Sequence, residues 1–186
     1  KGGMIRYAYN ASDKPVQVIN QLGFAAATYT YGLMNERTGF TDAEGRSWEY
    51  DHDSLLRLVR VAGPLNAEFR YQYNPVGRIT DFTDAEGTVT HTEYDGLYRP
   101  VAVTRNWRPA LAATADTNVT TRYAYNLVGD LLEKIDPEGY VFQYRYDLQS
   151  RRIGSEDAEG YEWQFSYDPM GNLLKALNRR GYAREM

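Results

Sequence analysis

The chain has 186 residues, among them 17 Tyr, 6 Phe, 3 Trp, 16 Gly and 7 Pro, and a formal net charge of −4. So mild a charge, with no basic run, argues against nucleic acid as a partner, and no apolar stretch approaches the roughly 20 residues of a membrane-spanning helix. With no cysteine, neither a disulfide nor a thiolate metal site can form.

A tyrosine recurs at Tyr9, Tyr31, Tyr50, Tyr73, Tyr94, Tyr125, Tyr146 and Tyr167, at gaps of 22, 19, 23, 21, 31, 21 and 21 residues. Asn or Asp follows each of them except Tyr31, which Gly32 follows. A period near 21 means one small unit copied along the chain. Four residues after each anchor stand Asp13, Asn35, Ser54, Gly77, Tyr98, Gly129, Ser150 and Gly171, and all but Tyr98 suit a tight turn. Eleven residues after it come Asn20, Asp42, Asp84, Asp136, Asp157 and Asn178, and fourteen after it Gly23, Gly45, Gly87, Gly139, Gly160 and Gly181. Glycine at a fixed place in the unit marks a backbone of positive φ. Each unit therefore has two turns, one after Tyr-Asp and one at Asp-x-x-Gly, with a short segment between them.

In chain order, Trp48 with Tyr50 and Tyr71 with Tyr73 begin the alternation of half-buried strands. Residues 55–59 alone fit a helix as well as a strand, and the regular turns make them a strand. The third unit has Val61 and Pro64 where Asp and Gly belong, which predicts a different turn. The fifth unit carries ten extra residues within 106–121, read as a surface loop, and Trp107 in it is the candidate for partner contact. Leu131–Ile135 is a strand bounded by turns. Tyr140, Phe142, Tyr144 and Tyr146 alternate with Val141, Gln143 and Arg145, and Tyr161, Trp163, Phe165 and Tyr167 with Glu162, Gln164 and Ser166. The expected fold is all-β. It is one array over 1–186 of about eight antiparallel hairpins, with the anchor tyrosines in an aromatic ladder whose pairs each contribute about 0.2–1 kcal/mol.

The pattern Tyr-Asp-x-x-Gly-x-Leu followed by Asp-x-x-Gly resembles the YD repeat of Rhs (rearrangement hot spot) proteins. Residues 167–173 and 125–131 are the fullest copies, and Asp42–Gly45, Asp84–Gly87, Asp136–Gly139 and Asp157–Gly160 supply the second half. The resemblance implies a β ribbon that spirals into a hollow shell around a cytotoxic C-terminal domain, as in bacterial polymorphic toxins and insecticidal toxin complexes. It also implies export from a bacterium, a secretion-system spike or chaperone as carrier, and often type VI delivery. Teneurins carry a related barrel. The family's self-cleaving segment is not recognisable here, because Asp168-Pro169-Met170-Gly171 and Asp136-Pro137-Glu138-Gly139 fall in register as ordinary turns.

The first unit begins within a few residues of Lys1 and the last breaks off after Gly181, which reads as an array truncated at both ends. About sixteen strands at about 4.8 Å span roughly 75 Å, half the circumference of about 140 Å needed around a 100-residue cargo. The partners expected are the rest of its own shell and the enclosed toxin domain, and open edges predict self-association of the isolated chain.

No chemistry is expected, and neither cofactor nor metal. Asp51-His52-Asp53-Ser54 offers the side chains of a triad, but neighbours in a strand point to opposite faces. The Asp-x-Glu-Gly turns lack the alternating ligands of a calcium loop. The alternative function is a cell-surface adhesin or carbohydrate-binding module, with aromatic rings stacked on sugars.

Overall fold

The computed structural model describes residues 4–178 and 183–185, the last three as backbone only; Gly181 lies outside the described residues. The chain forms two compact units, Lys1–Thr90 and His91–Met186. The division falls inside a strand and has no mark in the sequence, which expects a single array.

The first unit holds β1 (Arg6–Tyr9), β2 (Pro15–Ile19), β3 (Ala25–Tyr31), β4 (Arg37–Asp42), β5 (Ser47–His52), β6 (Leu58–Ala62), β7 (Glu68–Tyr73) and β8 (Ile79–Thr83). Each pairs antiparallel with the next. In the second unit lie β10 (Pro100–Arg105), β11 (Val119–Tyr125), β12 (Leu131–Ile135), β13 (Val141–Tyr146), β14 (Arg152–Glu156), β15 (Glu162–Tyr167), β16 (Leu173–Asn178) and β17 (Ala183–Glu185). They too form an antiparallel meander, which β9 (Val89–Tyr94) opens. The seventeenth strand, one more than expected, occupies the place before a ninth anchor. Residues 55–59 divide between a turn and β6, which starts at Leu58. Among the described residues the regular structure is all β apart from the helical turn Pro64–Asn66.

Alternation gives each unit two unlike faces. Trp48 and Tyr50 share one face of β5 with Phe40 of β4, which pairs with Trp48, while Glu49 and Asp51 lie on the other. Phe69, Tyr71 and Phe82 continue the aromatic face, and Arg60, Glu68 and Arg70 the polar one. Among the described residues no second layer covers either face within a unit. Among the described residues no large side chain is fully buried, and the rings shelter one another instead. Tyr29 meets Phe40 at 5.4 Å, Phe40 meets Trp48 at 5.1 Å, and Tyr71 meets Phe82 at 5.3 Å between ring centroids. The ladder therefore runs through rings two or four residues before the anchors and their cross-strand partners. The anchors themselves turn to other contacts.

Candidate functional site

The repeating turn is the element from which everything else is placed. Its first residue is an Asp or Asn whose backbone N–H donates to the carbonyl four residues on, and whose carbonyl accepts the N–H three residues on; Asp95 does so with Arg99 and Tyr98, both at 2.9 Å. The side-chain Oδ1 accepts the N–H groups two and four residues on, in Asp95 from Leu97 at 2.9 Å and Arg99 at 3.0 Å. One carboxylate thus satisfies amides that the bend has removed from the ladder. The fourth residue is left-handed. Gly23, Gly45, Gly87, Gly139 and Gly160 take this place in the second turns with φ between +75° and +89°. In the first turns it falls to Asp13, Asn35, Leu56, Gly77, Tyr98, Gly129, Ser150 and Gly171.

The third unit departs from the sequence reading. Each anchor pairs with the residue six positions on, across a register shift: Tyr31 with Arg37, Tyr73 with Ile79, Tyr125 with Leu131. In the third unit that pair is His52 with Leu58, whereas Tyr50 pairs with Val61 in plain register. His52 is the anchor, Asp53 begins the turn, and Leu56 rather than Ser54 is left-handed. The anomalous gaps of 19 and 23 then become 21 and 21. The second turn of the unit is moved likewise: Gly63 and Asn66 stand where Asp and Gly do elsewhere, not Val61 and Pro64. As expected it differs in shape, because Leu65 and Asn66 are both left-handed, the pair of a type I′ turn. The false anchor followed the letters Tyr-Asp; equal spacing was the signal that would have found His52.

Gly32 has its own reason. The Glu36 carboxylate folds back to accept the Met34 N–H at 2.9 Å, doing from the turn's last residue what the Asx side chain does elsewhere. It fills the space a Cβ at Gly32 would need.

The anchors tie one unit to the next. Tyr31, Tyr73, Tyr125 and Tyr167 donate their phenol O–H to the carbonyls of Pro15, Leu58, Pro100 and Arg152, at 2.9, 2.6, 3.0 and 2.8 Å. These acceptors begin the strand after the preceding unit's first turn. From three of those turns an arginine reaches forward. Arg57, Arg99 and Arg151 each bond the turn's own Asp53, Asp95 or Asp147 at 2.7 Å. Their guanidinium groups lie 4.6, 4.8 and 5.0 Å from the ring centroids of Tyr73, Tyr125 and Tyr167. Their Nη1 atoms donate to the carbonyls of Asn74, Asn126 and Asp168. Between these clamps Asp130 accepts the Ser150 hydroxyl at 3.2 Å, so the first turns of the second unit are linked in succession. The arginine five residues past the anchor was the sequence signal for this clamp and was missed. The clamp returns every second unit, which gives the chain a double period.

The other anchors differ. Tyr9 is exposed and lies near Tyr7, whereas Tyr50, which is no anchor, has Arg37 over its ring at 4.7 Å. Tyr94 pairs with Pro100 across its turn, and burial pushes the Tyr146 phenol up from its ordinary range. The Arg57 guanidinium holds the Asp53 carboxyl below the usual carboxylate range, and Asn172 does so for Asp168.

Trp107 lies in the loop between β10 and β11, which spans 106–118 because β11 already starts at Val119. The loop is pinned by Asn118, whose side chain accepts the Arg108 N–H at 2.7 Å and donates to the Leu111 carbonyl at 2.8 Å. Trp107 stacks on His91 at 4.3 Å, on the side of β10 where Ala102 and Thr104 are buried. The Asp51-His52-Asp53-Ser54 groups do not converge: Asp51 bonds Arg60, Asp53 bonds Arg57, and the buried His52 Nδ1 has no partner.

The family model described as Teneurin YD-shell matches residues 35–174. No curated protein matches the chain. Among solved structures, a mutant Photorhabdus luminescens Tc holotoxin pore is similar over 96% of this chain at 15% identity, with a TM-score of 0.51. The TcdB2-TccC3-Cdc42 crystal structure is similar over 96% at 14% identity, TM-score 0.55, and TcdB2-TccC3 over 95% at 15% identity, TM-score 0.54. The chain spans only 12% to 13% of the length of these structures.

Proposed function

We propose, for a chain that belongs to the Teneurin YD-shell family, a place in the wall of a hollow particle that encloses and helps deliver a toxin domain. Its role in the shell is structural. The observation that supports enclosure is the single-layer build of each unit. Among the described residues of each unit no large side chain is fully buried. A sheet that holds its shape by ties along its turns needs no second layer, so one face is free to meet cargo. The clamps from Arg57, Arg99 and Arg151 keep successive hairpins in register, and register fixes the wall. Export from a bacterium, with a secretion-system spike or chaperone as carrier, completes the proposal.

Digestion of the protein at its natural length tests it. The toxin domain should resist protease while the shell is closed and be cut once acid opens the turns. Equal cleavage of that domain in the intact particle and in isolation ends the enclosure reading. A second reading, carbohydrate binding, is favoured by the exposure of Tyr140, Tyr161 and Trp163. A glycan array on the folded chain, repeated with Trp163→Ala, separates the two.

A further inference from the structure

One connection differs from the others in how its backbone is held. The tight turns close within five residues by two backbone hydrogen bonds, as Asp42 does with Gly45 at 3.1 Å and Arg46 at 3.0 Å, so their tips are exposed but bent. The loop 106–118 between β10 and β11 is held near its two ends and not in its middle. On the way out, the Asn118 side chain accepts the Arg108 N–H at 2.7 Å and donates to the Arg108 and Leu111 carbonyls at 3.0 and 2.8 Å. On the way back, the Thr114 N–H donates to the Thr117 carbonyl at 2.8 Å, and the Asn106 side chain donates to the Asp116 carbonyl. Between these pins Ala112 and Ala113 form no hydrogen bond within the chain, and residues 108–116 are all exposed. The backbone groups of the two alanines are therefore free to pair with another backbone.

We infer that residues 111–114 are a processing site for an endoprotease whose pocket takes a small apolar side chain. A protease holds its substrate as an added extended strand, which needs free backbone groups and room to straighten. Exposed loop tips of small residues meet both needs. Leu111, Ala112 and Ala113 supply the side chain. Conformation rather than composition selects the segment: Ala43 and Ala85 are exposed as well, but each lies inside a turn closed by Asp42 or Asp84. A trypsin-like enzyme finds no site in the loop, because Arg105 lies in β10 and Arg108 is followed by Pro109. The reaction is hydrolysis. The amide C–N bond breaks, the carbonyl carbon gains the hydroxyl of water, the nitrogen gains its proton, and the new acid passes its own proton to the new amine. Cleavage leaves the sheet in one piece. β10 and β11 stay paired, Val103 with Thr121 and Thr104 with Thr120, and the hydroxyls of Thr104 and Thr120 bond at 2.9 Å. Both new ends keep a pin, Leu111 through Asn118 and Thr114 through Thr117. Processing therefore nicks the array without dividing it.

Limited digestion of the 186-residue chain with pancreatic elastase, read by mass spectrometry, tests the site. The first cut should fall within 111–114, with the bonds beside Ala43 and Ala85 still whole, and trypsin should leave the loop uncut. The nicked chain should elute from gel filtration with the intact chain and separate into two fragments only in denaturant. Ala112→Pro/Ala113→Pro removes two N–H groups that have no partner in the chain. It should abolish the early cut at an unchanged melting midpoint. An uncut loop, cleavage beside Ala43 or Ala85 as early as in the loop, tryptic cleavage of the loop, or a nicked chain that falls apart without denaturant each overturns the assignment.

Discussion

The first turns and the second turns are built from the same bend and do different work. A second turn such as Asp136–Tyr140 satisfies itself: its Asp accepts two amides, its glycine takes the left-handed place, and the hairpin closes. A first turn such as Asp95–Arg99 does all of this and also reaches the next unit through Arg99, the Tyr125 ring and the Asn126 carbonyl. Local bonds close hairpins, and contacts across units keep the hairpins in register. The cost of that register is a more demanding sequence, since Tyr, Asp and Arg must be present together.

Substitutions along the two edges should therefore differ in effect. The largest loss is expected for Tyr125→Ala, about 2–3 kcal/mol in urea unfolding, because it removes a half-buried ring, a cation–π contact and a hydrogen bond. Tyr125→Phe should lose about 1 kcal/mol, the share of the hydroxyl. If the two variants unfold alike, the ring contributes nothing and the clamp is wrongly described.

Acid should act mainly on the Asx turns. The carboxyls of Asp53, Asp95 and Asp168 lie below their ordinary values, held there by hydrogen bonds from Arg57, Arg99 and Asn172. Asp147 is depressed as well, its bonds to Arg151 outweighing burial. A group with a depressed folded value stabilises fully above its unfolded value and loses that contribution as pH falls through the folded one. The melting midpoint should hold near neutrality and fall steadily below about pH 4. An Asp95→Asn/Asp147→Asn variant should show a shallower decline; an unchanged slope would remove the Asx carboxylates as its cause.

Asn74→Ala removes two side-chain bonds to turn amides, those of Val76 and Arg78, and should cost about 1 kcal/mol. Changes in the irregular third unit should go the other way. His52→Phe relieves a buried nitrogen that lacks a partner, and Leu56→Gly relieves a left-handed leucine at φ +60°. Each should raise stability by about 1 kcal/mol, read as a higher denaturant midpoint at unchanged slope. The smallest effect belongs to the second edge. The Arg46 side chain is 59% exposed against 24% for Arg99, so Arg46→Met should leave the melting midpoint within error while Arg99→Met lowers it.

How much was legible follows from how far each contact reaches. The all-β class, the two turns per unit and the glycines at 23, 45, 87, 139 and 160 were readable, because their causes lie within five residues. The anchor of the third unit was misread, because Tyr50-Asp51 matches the motif in letters while pairing is set across strands at His52 and Leu58. The ladder was placed on the wrong rings for the same reason. Period two put Trp48 with Tyr50 and Tyr71 with Tyr73 on one face, but only pairing register showed that Tyr29, Phe40 and Trp48, rather than the anchors, stack across strands. Trp107 was rightly placed in a long loop, yet its stack on His91 lies sixteen positions away in sequence and had no local sign.

The sequence by itself determined the repeat, its turn chemistry and its β class, since a tight turn is specified by the few residues that form it. The tertiary structure decided which tyrosines tie units together and that the tie returns every second unit. Those features depend on bonds between residues fifteen to twenty-seven positions apart, such as Tyr73 to Leu58 and Arg99 to Asn126. The arginine five residues past the anchor marks one half of the clamp locally, and strand pairing supplies the other half. Such pairs exist only once strand pairing has set one hairpin beside the next.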